Sequence, residues 1–244
     1  MSGAPSREAD GKSKIKGDGN WGYGFNLGVL FELSEATRFG VAYRSEVSYD
    51  VEGEADFKTP KEATQIAVVN NLVDTDVKSD IDLPASLAFS GYHQLTDKWA
   101  VMADITWTDW STFEELRIKF DSGAADSVTT FDFDDNFRYS LGATYTLNPQ
   151  WKFRGGLAYD ESTISSRRKR TPRLPDEDRL WFSLGTSCQF SDRLEVDFGY
   201  TYITNVEKAE IDKTATGEDT FRGALKGDYD AHTNIASFQL SYKF

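Results

Sequence analysis

The stretch GDYDAHTNIASFQLSYKF, from Gly227 to Phe244 at the end of the chain, decides the fold class. From Ala236 onward every second residue is apolar, and the residues between them are Ser, Gln, Ser and Lys. Side chains of a β-strand alternate between two faces, so this stretch predicts a strand with one apolar and one polar face. Aromatic residues near the ends of such strands are typical of transmembrane β-barrels.

The same alternation recurs along the chain, about nine times in all, as expected for an antiparallel barrel wall. The connections between the predicted strands alternate between short turns and long loops. In outer-membrane barrels the short turns are periplasmic and the long loops are extracellular. The predicted strands begin near Trp21, Phe39, Leu83, Trp99, Phe137, Trp151, Leu180, Leu194 and Ile235. Short turns follow Leu33, Leu95, Leu147 and Phe190, and long loops begin near Lys58, Asp121, Ser162 and Asp212.

The two faces of these strands differ in charge, which favours a membrane barrel over a soluble one. The apolar faces carry aromatics in nearly every strand, whereas the opposite faces carry arginines and carboxylates that suit a wet or plugged lumen. A soluble barrel reverses this arrangement, because apolar side chains fill its interior. A β-sandwich with its charged face in solvent is the alternative. The charged residues of the polar faces are Arg44, Asp104, Arg138, Arg154, Glu195 and Asp197.

Bulk properties exclude several classes of protein. The 244 residues have a mean hydropathy of −0.52, and no run approaches the length of a transmembrane helix. The net charge of −13 argues against nucleic acid as a partner. Cys188 is the only cysteine, so no internal disulfide forms, and we interpret it as an apolar wall residue. The first twenty residues lack the apolar core of a secretion signal, which conflicts with an outer-membrane destination.

Five segments resemble the C-terminal part of the FadL family of outer-membrane long-chain fatty acid transporters, which includes the TodX-like channels for aromatic hydrocarbons. Together they span nearly the whole chain after residue 16. The segments are Gly17 to Val47, Leu83 to Ser111, Phe137 to Ser162, Arg170 to Tyr202 and the final LSYKF.

The resemblance implies an all-β, antiparallel transmembrane β-barrel. The family fold has fourteen strands closed by an N-terminal hatch domain, and this chain supplies about nine C-terminal strands. We therefore expect residues 1–19 to be a leading loop or strand remnant and residues 20–244 to be the C-terminal portion of the barrel. On this view the hatch and the first strands are absent, and the chain is a fragment or a truncated product. An open sheet of nine strands leaves two edges unpaired, which a bilayer does not tolerate.

Three lumenal arginines, Arg44, Arg138 and Arg154, are the candidate ligand-binding residues. A desolvated guanidinium binds a carboxylate through two parallel hydrogen bonds. The alternative is a structural role, in which they pair with carboxylates of the polar faces or of the hatch. Glycines of the polar faces either leave room for a plug or an acyl chain, or relieve strand curvature; they are Gly22, Gly24, Gly28, Gly142, Gly156 and Gly199.

Catalytic and metal motifs are weak, so we predict no catalytic residue, no metal site and no cofactor. His232 and Asn234 share a face, as an esterase site would need, but no nucleophile motif accompanies them and a histidine at the membrane interface fits better. The acidic residues Asp132, Asp134 and Asp135 lack the glycine and the ligand spacing of a calcium loop. The basic run Arg167 to Arg170 fits a solvated loop; contact with anionic lipopolysaccharide is the alternative.

Together these observations predict a non-enzymatic channel of the bacterial outer membrane. The resemblance implies passive uptake of long-chain fatty acids or similar hydrophobic compounds. An aromatic-hydrocarbon channel of the same family stays open, as do a lipid-acting enzyme and a wall protein without transport. The expected partners are the hydrophobic ligand, outer-membrane lipid and lipopolysaccharide, and the barrel-assembly machinery through Phe244.

Overall fold

The computed structural model describes residues 11–220 and 223–244. Nearly all regular structure is antiparallel strand. The strands are β1 (Lys12–Gly19), β2 (Asn26–Ser34), β3 (Thr37–Arg44), β4 (Val47–Lys58), β5 (Thr75–Leu83), β6 (Ser86–Gln94), β7 (Trp99–Thr108), β8 (Glu115–Phe120), β9 (Ser127–Thr130), β10 (Asn136–Asn148), β11 (Trp151–Asp160), β12 (Arg179–Ser191), β13 (Leu194–Asn205), β14 (Ala209–Lys213), β15 (Leu225–Tyr229) and β16 (His232–Tyr242).

Helices are few and short. Within residues 11–220 and 223–244, one α-helix, α1 (Thr64–Val69), follows a 3-10 turn at Lys61–Ala63, and two further 3-10 turns lie at Trp110–Thr112 and Gly217–Asp219. In the part of the chain that the structure describes, no helix has the length and apolar character needed to cross a bilayer.

The chain divides into two compact units. The first comprises residues up to 24, residues 47–83 and residues 113–131; the second comprises residues 25–46, 84–112 and 132–244. The first unit is a five-stranded antiparallel sheet in the order β1-β4-β5-β8-β9, together with α1. Of the predicted leading segment, residues 12–19 form β1, and residues 1–10 lie outside the described residues.

The second unit contains a nine-stranded sheet in the order β16-β13-β12-β11-β10-β7-β6-β3-β2. Every neighbouring pair is antiparallel, which confirms the predicted all-β fold and the count of about nine strands. Within the described residues, β2 and β16 each have a neighbour in this sheet on one side only. The short turns join β2 to β3, β6 to β7, β10 to β11 and β12 to β13, at the four predicted positions.

Three of the four short turns are closed by side-chain oxygens, which explains why they are tight. Asn148 Oδ1 accepts hydrogen bonds from the backbone N–H groups of Gln150 and Trp151, at 3.0 and 2.9 Å. Ser191 Oγ accepts from the N–H groups two and three residues later in the same way. Such local bonds replace ladder bonds and turn the chain.

The predicted long loops hold more structure than expected. The strand predicted to begin near Phe39 does not continue to the loop near Lys58 as expected, because the chain leaves the sheet at Ser45. The Ser45 hydroxyl accepts a hydrogen bond from the Phe25 N–H at 2.9 Å and donates one to the Glu46 carbonyl, so it bonds locally instead of continuing the strand. The loops predicted from Lys58, Asp121 and Asp212 contain further short elements, whereas the one from Ser162 to Glu177 contains no named helix or strand.

Among the described residues, many side chains on the apolar face of the nine-stranded sheet are exposed. Leu184 and Phe238, in the middle of their strands, are each 69% exposed. Many other apolar residues of this face are also exposed. Near the short turns, aromatic rings pair on the same face: the Trp99 and Tyr145 rings lie 4.7 Å apart. This is the arrangement of a barrel wall that meets hydrocarbon, with an aromatic girdle at one interface.

Candidate functional site

A cleft of about 630 Å³ lies on the polar face of the nine-stranded sheet. Antiparallel register brings residues of β2, β3, β6, β7, β10, β11 and β12 to it, since each strand contributes alternate positions to this face. A cavity of this size is in the range of small-molecule sites. The cleft lies entirely within the second unit.

The floor of the cleft carries no side chains where two glycines are cross-strand neighbours. Gly142 of β10 pairs with Gly156 of β11. A Cβ added to Gly142 would meet nothing nearer than 3.7 Å, and one added to Gly156 nothing nearer than 3.5 Å. Neither glycine has a positive φ. Neither the neighbouring atoms nor the backbone conformation therefore requires glycine at these two positions.

Arg138 lines one side of the cleft and is held by a buried carboxylate. Its Nη2 lies 3.0 Å from Asp160 Oδ2, and Arg179 Nη2 lies 3.0 Å from the same oxygen. Asp160 is 1% exposed. The Arg138 guanidinium also lies over the Trp181 ring, 5.1 Å from its centroid. Two cations therefore share one buried carboxylate, and this ion pair together with the Trp181 ring fixes the position of the Arg138 side chain.

The other two predicted arginines lie away from the cleft lining in the described residues. Arg44 Nε donates a hydrogen bond to Asn26 Oδ1 at 3.1 Å. Arg154 donates to Ser187 Oγ at 2.6 Å and pairs with Asp197 at 3.6 Å, one of the carboxylates named as a possible partner from the sequence. The structure thus brings Arg138 alone of the three to the cleft, and ligand contact by any of them stays a prediction.

Arg38 is a cleft residue that the sequence reasoning did not single out. Its guanidinium carbon lies 4.4 Å from the centroid of the Tyr92 ring, and both residues line the cleft. The alternation of β3 places Arg38 on the polar face, but the alternation alone does not say which polar residues share a cavity. The signal that would have found it is the pairing of Arg38 with Tyr92 in the β3–β6 register.

The basic run of the long loop is largely neutralised by acidic side chains. Arg170 is buried, with 6% of its side chain exposed, and pairs with Glu177 at 2.8 Å. Arg167 lies within 4 Å of Glu210 and Asp212. Lys169 lies 2.6 Å from Asp132, and this hydrogen bond raises the pKa of Lys169. These pairs account for most of the run within the molecule, and contact with lipopolysaccharide stays a prediction.

The weaker sequence candidates make ordinary structural contacts. The ring of His232 lies 6.1 Å from that of Tyr202, and Asn234 accepts a hydrogen bond from the Tyr200 hydroxyl. Asp135 accepts hydrogen bonds from the Ser111 backbone N–H and from the Trp107 indole. Among the described residues, no group of three or more His, Cys, Asp or Glu side chains is placed to hold a metal ion.

The fold and the site together define a class. A sheet with an exposed aromatic face, a polar face and a cleft on the polar side is part of the wall of an outer-membrane β-barrel. The model of the family described as outer membrane protein transport protein (OMPP1/FadL/TodX) matches residues 2–244. The chain belongs to this family, and the outer-membrane location predicted from the sequence is confirmed.

Curated relatives agree with the family. The chain is 36% identical over 230 residues to outer membrane protein P1 of Haemophilus influenzae, covering 92% of the chain and 48% of the relative. It is 32% identical over 206 residues to the long-chain fatty acid transport protein of Escherichia coli K12, covering 82% of the chain and 46% of that protein. The chain thus spans about half the length of the curated relatives it matches.

Solved structures support the fold. A FadL homologue from Pseudomonas aeruginosa superposes with a TM-score of 0.77 at 23% identity, covering 90% of this chain and 52% of that one. The Pseudomonas putida toluene transporter TodX superposes with a TM-score of 0.59 at 19% identity, covering 91% and 48%. At these identities the likeness concerns the fold of the barrel wall.

Proposed function

We propose that the protein containing this chain takes up long-chain fatty acids or similar hydrophobic compounds passively across the outer membrane. The observation that carries the proposal is the cleft with its bare floor of Gly142 and Gly156, on the face that a barrel encloses. Hydrophobic solutes cross a lipopolysaccharide layer poorly, so their uptake requires a protein that provides a continuous pathway. The fatty acid transport protein among the relatives supports this ligand class.

Ligand contact is proposed for Arg138, which lines the cleft beside Trp181. Because Asp160 already neutralises Arg138, its contact with a ligand is made by the remaining N–H groups and by the aromatic surface that it covers. Arg44 and Arg154 stay candidates from the sequence; each has a protein partner, so a ligand at either site must compete with it.

Uptake of aromatic hydrocarbons is the second candidate. It is favoured by the aromatic side chains of Tyr92 and Trp181 in the cleft and by fold neighbours described as a toluene transporter and a monoaromatic hydrocarbon channel. A lipid-acting enzyme has less support, because His232 has no hydrogen-bonded serine or carboxylate among the described residues. A wall protein without transport leaves the bare floor unexplained.

Filling the floor of the cleft tests the proposal. Gly156→Leu places a side chain where the ligand passes, and we expect labelled oleate uptake by cells to fall about tenfold, since overlap in a packed site costs roughly 1–3 kcal/mol. Gly28→Leu is the matched control: Gly28 has open surroundings, with its nearest Cβ neighbour at 3.8 Å, and does not line the cleft.

Protein in the outer membrane is quantified for both variants, so that uptake is compared per assembled molecule. Equal uptake by the two variants would refute a route through this cleft. Toluene uptake without oleate uptake in the unmodified protein would favour the second candidate. Ester hydrolysis that disappears in His232→Ala would favour the enzyme, and the complete absence of transport and hydrolysis would leave a wall protein.

A further inference from the structure

Arg38 differs from the other arginines of the polar face in having no acceptor. Within residues 11–220 and 223–244, its guanidinium forms no ion pair within 4 Å and no hydrogen bond, whereas Arg138 and Arg154 have carboxylate partners and Arg44 has an amide partner. Glu32, its cross-strand neighbour in the β2–β3 register, stays beyond ion-pair distance. Arg38 thus brings a guanidinium without an ion-pair partner among the described residues to the cleft lining.

The position of this charge is fixed by an aromatic ring. The guanidinium lies over the face of Tyr92, and the Tyr92 hydroxyl donates a hydrogen bond to Gln94 Oε1 at 2.5 Å, which holds the ring. Stacking on a ring uses the face of a guanidinium and leaves its N–H groups at the edge available. The Arg38 guanidinium is therefore held in position to bind a hydrogen-bond acceptor, and no described residue supplies one.

The nearest acid of the cleft lining does not fill this role. Asp104 lines the same cleft but accepts a hydrogen bond from the Thr106 hydroxyl at 2.9 Å and makes no ion pair with Arg38. An ordered guanidinium with free edge donors matches a carboxylate, which accepts two parallel hydrogen bonds. A hydrocarbon has no acceptor to offer and would leave the donors unpaired, at a cost.

We infer that Arg38 selects ligands that end in a carboxylate, so that the cleft takes a long-chain fatty acid in preference to an uncharged hydrocarbon. This inference rests on the proposed function, because it assigns the head-group contact of that same cleft. The acyl chain of the fatty acid then lies over the floor of the cleft, formed by Gly142 and Gly156. From Arg38 on β3 to Gly156 on β11 the sheet order crosses four strand spacings, about 19 Å at the usual distance between strands.

A matched pair of ligands tests the inference. Oleate and oleyl alcohol carry the same chain and differ in the head group. The full protein that contains this chain is purified in detergent, and apparent Kd values for both ligands are measured for the unmodified protein, Arg38→Met, Arg38→Lys and Arg193→Met. Arg193 lies in the exposed turn between β12 and β13, so Arg193→Met removes the same charge outside the cleft. Partition into micelles is the same for all variants, so ratios of Kd report the protein.

We expect Arg38→Met to weaken oleate binding about tenfold or more and to leave oleyl alcohol within about twofold, as expected for loss of a charged hydrogen bond. Arg38→Lys should recover part of the oleate affinity, and Arg193→Met should change neither ligand. Equal weakening of both ligands, or no change in oleate binding, would overturn the role of Arg38 while leaving the transport proposal intact. An unmodified protein that binds neither ligand would instead refute the proposed function.

Discussion

Among single residues, Arg170 shows how burial separates one charged side chain from its neighbours in the sequence. Its Nε donates to the Asp176 carbonyl and its Nη1 to the Glu210 carbonyl, both at 2.7 Å, while Nη2 pairs with Glu177. These bonds tie the loop after β11 to β14. Arg168, two residues earlier, is exposed. Of the four basic residues in this run, Arg170 is the one that is buried and connects the loop to β14, so it should contribute most to the stability of the loop.

Replacing Arg170 by Met should loosen this loop. The substitution leaves the Glu177 carboxylate and two carbonyls without their donor, and breaking a buried pair costs about 3 kcal/mol. We expect faster hydrogen exchange of the amides of residues 162–178 and cleavage of this loop at lower protease concentration. Arg168→Met removes an equal charge from an exposed position and serves as the control. If both variants exchange at the same rate, Arg170 does not hold the loop.

For individual side chains, the sequence predicted the face of the sheet but not the contact partner. Alternation placed Arg44, Arg138 and Arg154 on the polar side, and the register agrees. It did not reveal Asp160 as the partner of Arg138, because Asp160 comes at the end of β11 and the contact depends on the pairing of β11 with β10. It missed Arg38 for a similar reason: a cavity is defined across several strands, whereas periodicity describes one strand at a time.

Among the elements, the hairpins could be predicted and the long connections could not. Three of the four short turns carry a Ser, Thr or Asn side chain that closes them locally, and such turns leave a clear signal in the sequence. The break between β3 and β4 left none, because the apolar alternation continues through Ser45 from one sheet into another. Continuous periodicity predicts strand conformation but does not show which sheet a strand joins.

The connection from β7 to β10 depends on Asp135 and should therefore be sensitive to acid. Burial raises the pKa of Asp135, but hydrogen bonds from the Ser111 backbone, the Ser111 side chain and Trp107 outweigh it, so the pKa lies below its ordinary value. A carboxyl group with a lowered folded pKa stabilises the fold at pH values above its unfolded pKa, about 4. This stabilisation is lost as the pH falls through the lowered folded pKa.

Trp107 fluorescence measures this effect, since its indole N–H donates to Asp135 at 3.1 Å. The signal is the difference between the unmodified protein and Trp107→Phe, because the chain has six tryptophans. Below about pH 4 we expect this difference spectrum to shift toward that of a solvated indole as Asp135 becomes protonated. Asp135→Asn should show the shifted spectrum already at neutral pH and no acid transition. An unchanged transition in Asp135→Asn would assign it to another group.

For the molecule as a whole, the orientation of the sheet decides whether the cleft lies on the enclosed side of the barrel and can form the proposed route. β16 offers a direct test, because adjacent residues of this strand face opposite sides. Phe238 lies on the bare aromatic face and pairs across the strand with Phe198, whereas Gln239 lies on the polar face and pairs with Asp197. If the aromatic face meets hydrocarbon, a charge at position 238 is placed in lipid and a charge at 239 is not.

We expect Phe238→Lys to destabilise the protein in phosphocholine vesicles by roughly 2–4 kcal/mol, the cost of a lysine on the lipid face of a barrel near the bilayer centre. Gln239→Lys should change the stability little, because it adds a cation beside Asp197 in the enclosed, polar interior. Unfolding by denaturant in vesicles gives both values, and the same titration in detergent is the control for general folding defects. A larger loss for Gln239→Lys than for Phe238→Lys would mean that the polar face is the one in lipid, and the cleft would then lie outside any transport route.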